Sequence, residues 1–146
     1  MPDILLVSDS EAVRDEVKAA VGDSSTTFRE LTRGSAVRGA VQERTPDLAI
    51  IDLQVGKMGG MATCLDLRLE ESAGRLPHVP VLMLLDRRAD VFLARRSQAE
   101  GWIVKPLDPM RIGRAVRRVL AGETYVDGAY KPVTVVPRGA TTGPLQ

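Results

Sequence analysis

One cysteine, one histidine, one tryptophan and an aromatic share of 3% leave the 146-residue chain poorly equipped for several large classes of chemistry. The lone Cys64 excludes an intrachain disulfide and any cysteine-cluster metal site, and suits a reducing compartment. His78 has no second histidine with which to ligate a metal. The aromatics are too few for a base-stacking platform, and neither a helix-turn-helix segment nor a zinc-ligand set is present, so no nucleic-acid partner is expected. No apolar run approaches the roughly 18 residues of a membrane span. The start MPDILLVSDS lacks the basic region and cleavage site of a signal peptide. These absences together predict a cytoplasmic protein with no membrane partner. Neither charge sign dominates, with 20 Lys and Arg against 19 Asp and Glu.

What is there is the material of one α/β domain. The hydrophobic share is 44% and the length suits a single core. Four apolar runs recur at helix-length intervals: ILLV at 4–7, LAII at 48–51, VPVLMLL at 79–85 and WIV at 102–104. They are continuous rather than alternating, as strands buried on both faces of a parallel sheet are. A fifth, weaker strand is predicted over Thr27 to Leu31. Between them lie helical patterns. Val13, Val17, Ala20 and Val21 share one face behind a Ser10 cap, with Gly22 at the stop. A second helix is predicted behind Ser35 and ended by Pro46, a third from Met61 to Ala73, a fourth from Ala89 to Gln98. A fifth runs from Pro109 to Leu120, with Gly122 just past its end.

Alternating strands and helices predict a doubly wound parallel five-stranded sheet, whose ligands gather at the carboxyl ends of the strands. Those ends carry Ser8 and Asp9, then Asp52, then Asp86, then Lys105 followed by Pro106. Right-handed crossovers put three of the strands side by side, so that Asp9, Asp52 and Lys105 converge in a shallow pocket. Two carboxylates and an ammonium suit a small cation with a phosphoryl group. Mg²⁺ needs only one or two carboxylates and keeps its waters, so Asp9, Asp52 and the backbone carbonyl of Gln54 would suffice. A strand-end aspartate can itself accept a phosphoryl group. Taken singly, each of these residues is also an ordinary turn or cap residue; their joint occurrence at three strand ends carries the functional reading.

The combination SDS, IIDLQVGKMGG and VKP resembles the receiver domain of bacterial two-component response regulators over residues 3 to about 122. The resemblance implies a flavodoxin-like (βα)5, receiver (CheY-like) fold for 1–122. It implies Asp52 as phosphoacceptor, Asp9 as a Mg²⁺ ligand, Lys105 as phosphate contact and a sensor histidine kinase or other signalling protein as partner. Leu85 and Trp102 fall on the two switch positions. No enzyme activity is expected: a dehalogenase-type phosphatase would need a second acid where Gln54 stands. The chain departs from the family pattern at several points. Ser8 replaces one of two acids, Leu85 replaces the Thr or Ser whose hydroxyl bonds the phosphoryl oxygen, and Asp86 stands where a small residue leaves the pocket open. Gly56 replaces the loop proline, which predicts a looser turn, and Gly59 replaces an acid. A leucine at 85 forfeits a charge-assisted hydrogen bond worth about 1.5–3 kcal/mol. Two readings follow: a receiver phosphorylated on Asp52, and a phosphorylation-independent pseudo-receiver that serves as a docking module.

From Arg87 to Arg118 nine Lys and Arg stand against three acids. This face is either a solvated surface or a basic surface for an acidic partner or a homodimer. After the last helix, residues 123–146 read as a flexible tail with one β-prone patch, VTVV at 133–136, and no output domain, so a stand-alone receiver is expected.

Overall fold

The computed structural model describes residues 2–56 and 58–126. Six strands form one parallel sheet: β1 (Asp3–Val7), β2 (Thr27–Leu31), β3 (Leu48–Asp52), β4 (Val81–Leu85), β5 (Gly101–Val104) and β6 (Tyr125–Val126). Their spatial order is β2-β1-β3-β4-β5-β6. Five helices connect them: α1 (Glu11–Val21), α2 (Val37–Glu43), α3 (Gly60–Ser72), α4 (Val91–Arg96) and α5 (Pro109–Leu120).

Because side chains alternate across a strand, each apolar run feeds two cores. Leu5, Val7, Ala49, Ile51, Met83, Leu85, Trp102 and Val104 pack with Val37 and Val41 of α2, Cys64 and Leu67 of α3, and Val91 and Ala94 of α4. Ile4, Leu6, Ile50, Leu82, Leu84 and Ile103 pack with Val17 of α1 and with Ile112, Ala115, Val116 and Val119 of α5. This two-sided burial explains why the strands are continuous apolar runs. The predicted apolar face of α1 is the one that packs. Cys64 is one of the packed side chains, and burial pushes its thiol pKa up.

The helix starts are set by capping. The Ser10 hydroxyl accepts from the Val13 amide, and the Asp108 carboxylate accepts from the Met110 amide ahead of Pro109. Ser35 does not act as a cap. It lies within a 3₁₀ turn, Gly34–Ala36, that precedes α2, and α2 ends at Glu43, before Pro46 is reached. A second 3₁₀ turn, Arg88–Asp90, shortens α4 at its start. The helix predicted over 89–98 is correspondingly split.

The sheet has one strand more than expected. Tyr125 and Val126 pair in parallel with Gly101 and Trp102, and the Tyr125 side chain is buried. The sheet therefore extends past residue 122. Gly101 admits this strand, because a Cβ there would lie 2.9 Å from the Tyr125 carbonyl oxygen. The VTVV patch lies outside the described residues.

The amino ends of β4 and β5 are tied by a polar network invisible in the sequence pattern. The buried Arg68 guanidinium donates to the Val79 and Gln98 carbonyls and to Glu100, whose other oxygen lies 2.7 Å from His78 Nε2. His78 is exposed and bridged to Glu71 and Glu100.

Gly60, the first residue of α3, lies hard against the carboxyl end of β3. A Cβ there would stand 2.7 Å from both the Asp52 carbonyl oxygen and Leu53 Cα. Gly60→Ala is expected to lower stability by about 1–3 kcal/mol through overpacking against backbone. Gly39→Ala, in α2 with open space around the position, should raise stability by up to about 1 kcal/mol. Urea unfolding midpoints of the two variants against the parent check both signs.

Candidate functional site

The site forms where β1, β3 and β5 end. Asp52 closes β3 and is only 2% exposed. Its Oδ1 accepts from Lys105 Nζ at 2.9 Å and from the Gln54 amide at 3.2 Å, and its Oδ2 accepts from the Ser8 hydroxyl at 2.9 Å. Lys105 follows β5, and its amide donates to the Leu85 carbonyl at 2.7 Å. The expectation that three functional strands lie side by side needs correction. β1 and β3 are neighbours, but β4 lies between β3 and β5, so the Lys105 side chain reaches across the end of β4.

Three of the five departures from the family pattern, Ser8, Gly56 and Asp86, supply a partner to a retained group. The fully buried Ser8 donates its hydroxyl to Asp52 and accepts the Ser10 amide. The Gly56 amide, a donor that proline would lack, bonds Asp9 Oδ2 at 3.2 Å. The turn after Asp52 is thus tethered to β1's end, the opposite of the predicted loosening. Asp86 turns inward, with Oδ1 3.0 Å from Lys105 Nζ. Leu85 is fully buried and Trp102 nearly so, both in the core shared with α3 and α4. The Trp102 indole N–H is buried without an acceptor among the described residues.

Two contributors escaped the sequence reading. Arg14 of α1 donates to the Ser8 carbonyl at 2.7 Å while pairing with Glu30, which fixes the loop that presents Ser8 and Asp9. Its position one turn beyond the Ser10 cap was the only available signal. Asp90, 2% exposed, binds both the amide and the guanidinium of Arg87 and closes the loop that carries Asp86.

Burial pulls the Lys105 ammonium down, but its hydrogen bonds to Asp52 and then Asp86 outweigh that, so its pKa stands above the ordinary lysine value. The donor set around Asp9 and Asp52 is oxygen throughout, as Mg²⁺ requires. Among the described residues no three acidic, histidine or cysteine side chains gather into a metal cluster.

A family model for the response regulator receiver domain matches residues 4–117. The chain belongs to the receiver family. The nitrate/nitrite response regulator NarL of Escherichia coli is 28% identical over 132 residues, which is 89% of this chain and 60% of that protein. An uncharacterised response regulatory protein of Mycobacterium tuberculosis is 32% identical over 128 residues, covering 84% of this chain and 93% of the relative. The chain thus spans about three fifths of NarL but nearly all of the mycobacterial relative. The receiver domain of NtrX from Brucella abortus superposes with a TM-score of 0.71 at 24% identity, covering 82% of this chain and 98% of that one. A LuxR-family response regulator from Aurantimonas gives a TM-score of 0.77 at 22% identity, with 89% and 92% covered. Such identities establish the flavodoxin-like receiver fold. Receiver domains are signalling modules rather than classical enzymes, and no helix among the described residues is long and apolar enough to cross a membrane.

The raised Lys105 pKa gives a pH dependence with a defined sign. A raised folded value means that the Lys105 contribution is complete below the unfolded lysine pKa of about 10.4 and is lost as pH climbs through the higher folded value. Lys105→Met is expected to cost about 1–3 kcal/mol at neutral pH by leaving Asp52 without its charged partner. It should also flatten the alkaline fall in stability. Urea unfolding of parent and variant from pH 7 to 11 checks both.

Proposed function

We propose that this receiver accepts a phosphoryl group on Asp52 and signals by binding another protein. The observation that supports this most is the 2.9 Å pair between Asp52 and Lys105 at the end of β3, with Asp9 at the neighbouring strand end. Oδ1 is held by Lys105 and the Gln54 amide, while Oδ2 carries only the Ser8 hydroxyl. Oδ2 is therefore the oxygen that attacks phosphorus. A P–O bond forms as the P–N bond of a phosphohistidine donor breaks, and the imidazole leaves with a proton taken from solvent. A sensor histidine kinase is the matching donor. Lys105 stabilises charge gathering on the phosphoryl oxygens as a point cation. Asp9, Asp52 and the Gln54 carbonyl would hold Mg²⁺, which when bound neutralises phosphoryl charge. With one acid fewer than the family pattern, its affinity is reduced.

The response to phosphorylation is weak in this reading. A ligand shifts a two-state protein only by its differential contacts, and Leu85 offers the phosphoryl group no hydroxyl. The same buried Leu85 supports the second reading, a pseudo-receiver that docks its partner without phosphorylation. The partner surface in either case is the basic stretch of α4 and α5, where Arg95, Arg96, Arg114 and Arg118 are exposed, as are Phe92 and Met110. Its excess of basic over acidic groups suits an acidic protein better than a second copy of itself.

Incubation with phosphoramidate and Mg²⁺ followed by intact-mass measurement should give one labile phosphoryl adduct that is absent in Asp52→Asn. No adduct on the parent protein sinks the phosphorylated reading. A partner that binds the parent and Asp52→Asn equally, whether or not phosphodonor is present, supports the docking module instead.

A further inference from the structure

We propose that Asp86 is a resident anion on Lys105, a gate that an incoming phosphoryl group must displace before Asp52 is phosphorylated. The inference rests on the reading of Asp52 as phosphoacceptor and adds to it a built-in competitor.

An ammonium has three donors. Two of those on Lys105 are committed, one to Asp52 Oδ1 at 2.9 Å and one to Asp86 Oδ1 at 3.0 Å. Among the described residues Lys105 is the cation bonded to Asp52, and the phosphoryl group needs it. The Asp86 carboxylate occupies the ammonium from the β4 side, on the same lysine that holds Asp52 Oδ1. Its placement is enforced by the loop. The Arg87 amide and guanidinium are both bonded to the buried Asp90 carboxylate, so the backbone after Asp86 is pinned. Asp86 itself is one-third exposed in its side chain, against 3% for Asp52. It can therefore swing into water while Asp52 and Lys105 stay in place, which is the behaviour of a gate.

Two effects act in the same direction. The carboxylate takes up space and a donor at Lys105, and its charge repels an anionic phosphodonor approaching a pocket that already holds Asp9 and Asp52. Charge-assisted hydrogen bonds of this kind are the strong ones. Two further departures close the pocket in parallel, because Ser8 occupies Asp52 Oδ2 and the Gly56 amide occupies Asp9 Oδ2. Asp86 differs from them in competing by charge with the phosphoryl group itself.

Asp86→Asn keeps the shape and removes the charge, and Asp86→Ala removes both. The rate of adduct formation with phosphoramidate and Mg²⁺ is measured for the parent and both variants. In parallel, exchange of the Lys105 ammonium protons with water is measured by ¹⁵N NMR without donor. The gate predicts about tenfold faster phosphorylation in Asp86→Ala, an intermediate rate in Asp86→Asn, and faster ammonium exchange in both variants. Should one variant fail to fold, the other carries the same comparison. Equal or slower rates in the variants, with adducts formed, overturn the gate and leave Asp52 as acceptor. Unchanged ammonium exchange overturns the contact itself. Faster ammonium exchange with no adduct on any of the three proteins removes the acceptor reading, and the gate falls with it.

Discussion

The reach of Lys105 across β4 to Asp52 is the constraint on which the rest of the site depends. Neighbouring strands lie about 4.8 Å apart, so β3 and β5 are separated by roughly 10 Å. The lysine closes that gap by lying over the carboxyl end of β4. Whatever residues end β4 are consequently under the ammonium. Leu85 is drawn into the core below, and Asp86, the next residue on, meets the charge. A small residue at 86 would leave the lysine one carboxylate; the acid gives it two.

The same pocket illustrates how buried polar groups are satisfied when a pattern changes. A site holding Asp52 at 2% exposure tolerates few unpaired atoms. Loss of an acid at position 8 removes a negative charge and brings in a hydroxyl that donates to Asp52. Loss of the loop proline at 56 releases a peptide N–H that finds Asp9. These substitutions are coherent in energetic terms: each removes repulsion or adds a donor to an acid-rich edge. The result is a pocket whose ionic groups find their partners within the protein.

Much of the architecture was legible because it rests on short-range signals. Continuous apolar runs mark strands covered on both faces, and Ser10, Pro109 and Gly122 mark helix ends. Strand-end residues could be named because the sheet is parallel and its ligand edge is always the same. What escaped depends on three-dimensional neighbours. Ser35 looks like a cap, yet the chain tightens into a 3₁₀ turn there. The Gly56 amide matters only because Asp9 lies opposite it, and no local pattern reports that. Arg68 and Glu100 are thirty-two residues apart, so their pairing has no periodic signature. Whether Asp86 would face the pocket or the solvent was decided by Asp90 holding Arg87. The sixth strand was missed because two residues are too short to register as an apolar run.

That last strand has a dynamic consequence. Two ladder residues joined to α5 by a short connection carry little cooperativity of their own, so β6 is held to the sheet chiefly by the buried Tyr125 ring and by the Tyr125 amide's bond to the Glu100 carbonyl. Such an edge opens with a smaller free energy than the central strands do. Tyr125's peptide hydrogen is thus a local clock: its exchange with deuterated water times the peeling of β6 from β5, while amides of β1 and β3 time the opening of the whole domain.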